Sequence, residues 1–202
     1  MLPRRHLIAL PLLLTALGAR ADAVIGQSAP DFALKDTSGN TVRLSALRGQ
    51  YVVLEWTNPG CPFVRKHYDS GNMPATQKAA RQQGVTWLSI NSTAKDHPDY
   101  LEPARLAAWM AERKAQATAI LMDEDGATGH AYDARTTPHL YIIDPQGTLV
   151  YAGGIDSIAS ARPADIEKAT NYIQAALADI AARRPIATAL TKPYGCSIKY
   201  KT

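Results

Sequence analysis

The sequence of 202 residues predicts an α/β fold, with a mixed central β-sheet flanked by helices on both faces. Two runs rich in apolar and β-branched residues, 51–56, which is interrupted only by Glu55, and 85–91, have the composition of strands buried on both faces, and a helical pattern lies between them. Two pairs of shorter β-rich runs, within 30–47 and 139–154, each enclose a turn signal and therefore predict hairpins. This order of elements favours a mixed sheet.

Helices are expected between and after these strands. Apolar residues at helical spacing, with breakers at the ends, predict them at 44–48, 64–84 with an interruption around 71–74, 100–118 and 166–180. The last helix has a stripe of six apolar residues: Ile166, Ala169, Ile173, Ala176, Leu177 and Ile180. A short strand is expected at 119–123, and Pro185 and Pro193 predict an extended tail.

The N-terminus has the features of a secretory signal peptide over residues 1–23. Arg4 and Arg5 precede an apolar run at 7–18, and small residues in an Ala-x-Ala arrangement follow it. That run is shorter than the roughly 20 residues that a membrane-spanning helix needs, so no membrane anchor is expected. The arginine pair is a weak hint of the twin-arginine route. We expect a periplasmic or secreted protein made of a domain at 24–184 and a tail at 185–202.

Charge and cysteine content narrow the function. The formal net charge of +4 is too small to indicate binding to nucleic acid or to an anionic membrane surface. The chain has two cysteines, Cys61 and Cys196, which are too few for a structural zinc site. An even pair in an exported protein favours a mutual disulfide, either as a reversible redox pair or as a permanent link that fastens the tail. The oligomeric state stays open.

The segment EWTNPGCPFVRKHY (55–68) places Cys61 between a buried strand and a helix. Gly60 allows a sharp turn, Pro62 suits the first helical position, and Arg65 lies one turn further along the same face. Unpaired amide groups at a helix start stabilise a thiolate, so Cys61 is the candidate nucleophile. Val64 stands where a Cys-x-x-Cys motif has its second cysteine. The alternative is a small, inert, buried side chain.

Three stretches carry a family resemblance: LEWTNPGCPFV (54–64), RTTPHLYIIDPQGTLVYAG (135–153) and KPYGCSIKY (192–200). In these the chain resembles the thioredoxin superfamily, in its redoxin or peroxiredoxin-like branch. The resemblance implies a thioredoxin-like fold for residues 24–184 and a thiol–disulfide oxidoreductase activity without a cofactor. Cys61 would be the nucleophile and Cys196 its resolving or disulfide partner. Thiols and disulfides of proteins or small molecules would be the reaction partners.

The same resemblance assigns roles to Glu55 and Pro138. Glu55 lies six residues before Cys61, which matches the buried acid that exchanges a proton with a cysteine in thioredoxins. Its alternative is a solvated position at the strand end, or a pairing with Lys or Arg. The Thr137–Pro138 bond is expected to be cis and to present the backbone of residue 137 to an extended substrate segment.

A thiol peroxidase with Cys61 as the attacking residue is the alternative activity. Peroxidases of this branch place a Thr or Ser three residues before the cysteine and add an arginine to stabilise the developing charge. Here Thr57 is four residues before Cys61, and Pro138 occupies the slot of the arginine, although Arg135 is three residues away. The sequence therefore favours the oxidoreductase.

A metal-binding function is the second alternative. Cys61, His67, His139 and Cys196 offer soft sulfur and nitrogen ligands, as in thioredoxin-like copper carriers, which usually have two cysteines four residues apart. Their ordinary roles would be an exposed helical position for His67 and a solvated or hydrogen-bonded strand end for His139. No metal is therefore expected.

Overall fold

The computed structural model describes residues 23–201 and contains a mixed seven-stranded sheet. Nine strands occur in chain order: β1 (Ala33–Asp36), β2 (Thr41–Arg43), β3 (Val52–Trp56), β4 (Thr86–Asn91), β5 (Ala119–Met122), β6 (Thr136–Thr137), β7 (His139–Ile143), β8 (Leu149–Gly153) and β9 (Cys196–Ser197). The large sheet has the order β2-β1-β5-β4-β3-β7-β8, and β6 pairs with β9 in a separate ribbon. The predicted α/β fold with a mixed sheet is confirmed.

Strand β3 lies near the middle of the sheet and leads directly to Cys61. It pairs in parallel with β4, with Leu54 opposite Leu88, and antiparallel with β7, with Leu54 opposite Tyr141. All five of its residues are buried, as the largely apolar run predicts for a strand covered on both faces. Because β3 is held on both edges, the segment that follows it starts from a rigid position.

Within the described residues, five α-helices connect or follow the strands: α1 (Pro62–Asp69), α2 (Asn72–Gln82), α3 (Pro103–Glu112), α4 (Ala127–Ala131) and α5 (Tyr172–Ala181). The interruption expected around 71–74 is present, because Gly71 has a φ of 78° and separates α1 from α2. Helix α3 is shorter than the predicted 100–118. It starts at Pro103, and Lys114 leaves the helical conformation with a φ of 55°.

The core has two layers, one on each face of the sheet. Buried side chains of α1, α2, α3 and α5 pack on the first face, together with Val53 of β3 and Cys61. The second face is covered by the segment before β1, by a 3₁₀ turn at Leu44–Leu47 and by the short helix α4. Helices therefore lie on both faces, as predicted, but the long ones are all on the face of Cys61.

The last helix begins later than the prediction from 166. A 3₁₀ turn covers Pro163–Lys168, and α5 starts at Tyr172. The side chain of Asn171 accepts a hydrogen bond from the backbone N–H of Gln174 and so caps α5, which fixes its first turn. Tyr172 also donates its N–H to the carbonyl of Ile155, so the chain before α5 is tied to a neighbouring loop rather than continuing as helix.

The tail follows the sheet and returns to Cys61. Ala152 of β8 donates to the carbonyl of Ala189 at 3.0 Å and accepts from Thr191 at 3.1 Å. Further on, β9 pairs antiparallel with β6, with Cys196 opposite Thr137. The extended path is confirmed, whereas β6, β9 and α4 were not predicted. The expected signal peptide lies almost wholly outside the described residues, and no helix within 23–201 is long and apolar enough to cross a membrane.

Candidate active site

Cys61 occupies the N-cap of α1, with Pro62 as the first helical residue. The approach from β3 is held by Asn58, whose carbonyl accepts from the Cys61 N–H at 3.0 Å and whose side chain accepts from the Gly60 N–H at 2.7 Å. The Cys61 side chain is 2% exposed. Its local sequence therefore places the sulfur at a helix start, as predicted. Other parts of the chain bury it.

The thiol of Cys61 donates to the carbonyl oxygen of Thr137 at 3.0 Å. It makes no capping bond to α1 among the described residues. The peptide bond between Thr137 and Pro138 is cis, as the resemblance implied. A thiolate cannot donate, so ionisation of Cys61 removes the bond to Thr137 and leaves the sulfur free to turn towards another group.

Cys196 lies beside Cys61, which confirms the expected proximity of the two cysteines. It is opposite Thr137 in the β6–β9 ribbon, and the thiol of Cys61 is hydrogen-bonded to the carbonyl of the same Thr137, so the two cysteines are neighbours. Burial raises the pKa of Cys196, and the adjacent Cys61 side chain raises it further. Both residues are free thiols in the described chain. Two neighbouring free thiols have the chemistry of a dithiol–disulfide pair.

Gly195 explains how the tail approaches so closely. A Cβ atom at this position would lie 1.9 Å from the carbonyl oxygen of Thr137, and the residue has a φ of 143°. Only glycine fits such a contact and such a backbone conformation. The tail is therefore adapted to pass directly over the carbonyl that contacts Cys61.

An open cavity of about 420 Å³ adjoins the start of α1. Gly60, Arg65, Asp99, Arg105 and Trp109 are among its lining residues. The Arg65 side chain donates from Nε to the carbonyl of Pro59 at 2.7 Å, so it braces the loop before Cys61. The cavity offers both positive and negative groups close to the start of the helix that carries the candidate nucleophile.

Glu55 is fully buried on the same face of β3 as Val53, so its alternative placement at a solvated strand end or beside Lys or Arg is wrong. Four side chains donate to its carboxylate: Tyr68 at 2.8 Å, Gln77 at 3.0 Å, Trp87 at 2.8 Å and Ser89 at 2.9 Å. Burial raises the pKa of Glu55, and the donors oppose this shift. Within the described part of the chain, none of its hydrogen bonds goes to a cysteine.

Lys66 and His67, which follow on α1, form a buried network that the sequence did not indicate. The Lys66 ammonium lies 3.2 Å from a carboxylate oxygen of Asp156. His67 contacts the Tyr194 hydroxyl at 3.1 Å, and Tyr194 donates to Asp156. Both α1 side chains are buried, so the expected exposed position of His67 is wrong. No local sequence pattern predicts this network, because the partners of Lys66 and His67 lie about 90 and 127 residues further along the chain.

The comparison with known families supports this geometry. The model of the AhpC/TSA family matches residues 25–152, which include β1 to β7, Cys61 and Pro138. The chain belongs to the AhpC/TSA family. Cys196 lies beyond the matched residues, so the second cysteine is a feature of the tail rather than of the part that the AhpC/TSA model describes.

Similar proteins include thiol–disulfide oxidoreductases. The chain is 26% identical over 126 residues to the thiol-disulfide oxidoreductase ResA of Bacillus subtilis, covering 62% of this chain and 64% of that protein. It is 29% identical over 158 residues to the ResA of Geobacillus thermodenitrificans, covering 70% and 81%. The chain thus spans just under two thirds of the length of the Bacillus protein.

Solved structures establish the thioredoxin-like fold over most of the chain. An uncharacterized conserved protein of Geobacillus kaustophilus has a TM-score of 0.76 at 30% identity, covering 88% of this chain and 93% of that one. A hypothetical protein of Sinorhizobium meliloti 1021 has a TM-score of 0.77 at 24% identity, covering 90% and 97%. Both solved structures match a larger share of the chain than the family model, which covers residues 25–152. The fold of this AhpC/TSA member is therefore shared over nearly its whole described length.

The residues considered as metal ligands make other contacts in this AhpC/TSA member. His139 is buried, and its Nδ1 accepts from the Arg135 N–H at 3.4 Å and contacts the Tyr141 hydroxyl at 3.2 Å. Of the two ordinary roles expected for His139, solvated or hydrogen-bonded, the structure has the hydrogen-bonded one. Among residues 23–201, no group of three or more His, Cys, Asp or Glu side chains could hold a metal ion.

The two residues considered for peroxide chemistry make no hydrogen bond to Cys61 among residues 23–201. Arg135 is bound to Asp133 at 2.8 Å, and its side chain is 73% exposed. The hydroxyl of Thr57 is buried and has no hydrogen-bond partner in the described chain. An arginine turned to solvent does not provide the positive charge that a peroxidatic cysteine needs beside its sulfur.

Proposed function

We propose that this chain is an exported thiol–disulfide oxidoreductase in which Cys61 is the nucleophile and Cys196 the resolving thiol. The observation that carries the proposal is that both cysteines meet at Thr137: Cys61, at a helix start, is hydrogen-bonded to the Thr137 carbonyl, and Cys196, on the returning tail, is opposite Thr137 in the β6–β9 ribbon. The named activity of the ResA relatives supports the reaction class. Export rests on the signal-like residues 1–23.

The reducing half-reaction has two exchanges. The Cys61 thiolate attacks one sulfur of a substrate disulfide, which forms a mixed disulfide and releases one substrate thiolate that takes up a proton. Cys196 then loses its proton and attacks the Cys61 sulfur, which releases the second substrate thiol and leaves a Cys61–Cys196 disulfide. Two electrons pass from the protein to the substrate, and an external dithiol restores the protein by the reverse steps.

The raised pKa of Cys196 suits the second step. While Cys61 is reduced, its side chain and burial hold Cys196 in the protonated form. Once Cys61 is part of a mixed disulfide it carries no charge, so one cause of the raised pKa disappears. Cys196 then ionises more easily, at the stage when its attack is needed.

We assign supporting roles to Pro138 and Glu55. Pro138 follows the residue whose carbonyl contacts Cys61, so it holds that carbonyl and the β6 edge in place. Glu55 is the proposed proton acceptor and donor, supported by its burial and raised pKa. Because its hydrogen bonds go to other side chains, the proton has to pass through intervening groups.

Cysteine variants test the proposed function. Cys61→Ser should abolish reduction of insulin disulfides, whereas Cys196→Ser should still attack and should accumulate as a mixed disulfide that mass spectrometry detects on Cys61. The Cys61→Ser protein retains Cys196 and is the control that shows whether Cys196 itself forms a mixed disulfide. Full activity of Cys61→Ser would remove the assignment of the nucleophile.

Peroxide reduction is the second candidate function. It is favoured by membership of the AhpC/TSA family and by the buried Thr57 hydroxyl, which lacks a partner among the described residues. The exposed position of Arg135 disfavours it. Rapid consumption of hydrogen peroxide by the reduced protein, together with no reduction of insulin, would reverse the order of the two functions.

A further inference from the structure

A buried charge cluster links the tail to the helix that carries Cys61. The Lys66 ammonium and the Asp156 carboxylate are almost fully buried, and Lys66 also donates to the carbonyl of Ile158 at 3.3 Å. Removing two such charges from water costs several kcal/mol per ion, and apolar residues of similar size often stabilise a fold as well or better. Stabilisation of the core therefore does not by itself explain why this cluster is present.

The third member of the cluster, Tyr194, lies two residues before Cys196. Its hydroxyl donates to Asp156, contacts His67 at 3.1 Å and accepts from Lys66 at 3.4 Å. Its ring packs edge-on against Phe63, with the centroids 5.8 Å apart. Phe63, Lys66 and His67 all belong to α1, so the tail is fastened to the same helix whose N-cap is Cys61.

We infer that Tyr194 is the positioning residue of the Cys61–Cys196 pair, an inference that rests on the proposed exchange between these two cysteines. The Tyr194 hydroxyl, held by Lys66, His67 and Asp156, fixes the tail immediately before the close approach at Gly195. Without this anchor, the segment between Thr191 and the β6–β9 ribbon loses its polar contacts to α1, and the local concentration of the Cys196 thiol at Cys61 falls. Tyr194 itself takes no part in bond making.

Tyr194→Phe tests the inference, because it keeps the ring on Phe63 and removes only the hydroxyl. The readout is the equilibrium between the protein dithiol and oxidised glutathione, which yields the protein disulfide and two molecules of reduced glutathione. We expect the equilibrium constant for forming the protein disulfide to fall about tenfold, equivalent to about 30 mV for this two-electron couple. Thermal unfolding of the reduced variant checks that the fold is retained.

Tyr172→Phe is the matched control. Tyr172 is half-buried at the start of α5, and its hydroxyl makes no hydrogen bond among residues 23–201. The control should keep the equilibrium constant of the unmodified protein. In a Cys61→Ala background, the Tyr194→Phe change should also speed alkylation of Cys196 several-fold, a readout that does not depend on disulfide formation.

The outcomes separate this inference from the proposed function. If the unmodified protein forms the Cys61–Cys196 disulfide and Tyr194→Phe has the same equilibrium constant and the same alkylation rate, the positioning role of Tyr194 is wrong and the proposed function stands. If the unmodified protein forms no such disulfide with oxidised glutathione, the proposed function fails and the inference fails with it. A tenfold fall confined to Tyr194→Phe supports both.

Discussion

At the residue scale, individual side chains around Cys61 support its proposed role as a nucleophile. Some of them could be predicted from the sequence and others could not. Cys61 was recognisable because its neighbours Gly60 and Pro62 are local signals of a turn and a helix start. Glu55 stood out as an acid within an apolar strand. The cluster of Lys66, Asp156 and Tyr194 was not predictable, because a lysine on a helix is ordinarily solvated and its partners are distant in sequence.

At the scale of the single residue, we expect the Glu55 carboxylate to be the shared hydrogen-bond acceptor of four buried donors. Glu55→Leu keeps a similar size but leaves the donors of Tyr68, Gln77, Trp87 and Ser89 without their shared acceptor. Because each unsatisfied buried polar group costs about 1–3 kcal/mol, the free energy of unfolding in urea should fall by about 3 kcal/mol or more. Glu55→Gln, which keeps one acceptor oxygen, should lose less. Equal stability of the leucine variant and the unmodified protein would contradict this role.

The buried His139 should make the fold sensitive to acid. Burial lowers its pKa from 6.5 to about 4, while Asp133 raises it and Arg135 lowers it slightly. Tyr141 is the other polar group against the ring. Between pH 6.5 and about 4 the unfolded chain binds a proton at this histidine that the folded chain does not bind, so the stability contributed by neutral His139 is lost as the pH falls.

His139→Gln isolates this effect, because glutamine keeps an acceptor and cannot titrate. Relative to the variant, the unmodified protein should lose up to about 1.4 kcal/mol of unfolding free energy per pH unit across this window. Urea unfolding at several pH values from 7 to 4.5 measures the difference. Parallel pH profiles for the two proteins would show that His139 titrates normally in the fold.

At the scale of elements, the long strands and helices were predictable and the tail ribbon was not. Strands β3 and β4 lie in segments rich in apolar and β-branched residues, and the hairpins have turn signals. Strands β6 and β9 contain two residues each, so no periodicity can reveal them. The start of α5 was predicted too early because apolar spacing alone cannot detect the cap at Asn171.

The ribbon of β6 and β9 depends on Gly195. Gly195→Ala places a methyl group 1.9 Å from the Thr137 carbonyl, so β9 and Cys196 should move away from Cys61, and formation of the mutual disulfide should fall about tenfold or more. The control is Gly39→Ala, since Gly39 has a φ of 87° and open space around it. That variant should carry backbone strain of about 1–3 kcal/mol and keep the disulfide. Loss of the disulfide in both variants, or in neither, would contradict the role of this contact.

At the scale of the whole molecule, a bond between Cys61 and Cys196 would close about three quarters of the described chain, residues 61–196 of 23–201, into one loop. The separation of 135 residues predicts, in the chain-entropy model, a stabilisation of about 5 kcal/mol less any strain. The oxidised protein should therefore unfold at a clearly higher urea concentration than the reduced protein. Cys196→Ser, treated with the same oxidant, is the control and should show no such shift. Identical midpoints for both forms of the unmodified protein would argue against a bond across the domain.

The central claim is that the two cysteines form one exchangeable pair within a single chain. The most direct test is to titrate the reduced, folded protein with oxidised glutathione and to map the products by mass spectrometry after proteolysis under acidic conditions. We predict one linked pair of peptides, containing Cys61 and Cys196 of the same monomer, which a dithiol returns to two free thiols. Stable glutathione adducts on Cys61 with Cys196 left as a free thiol would contradict the account.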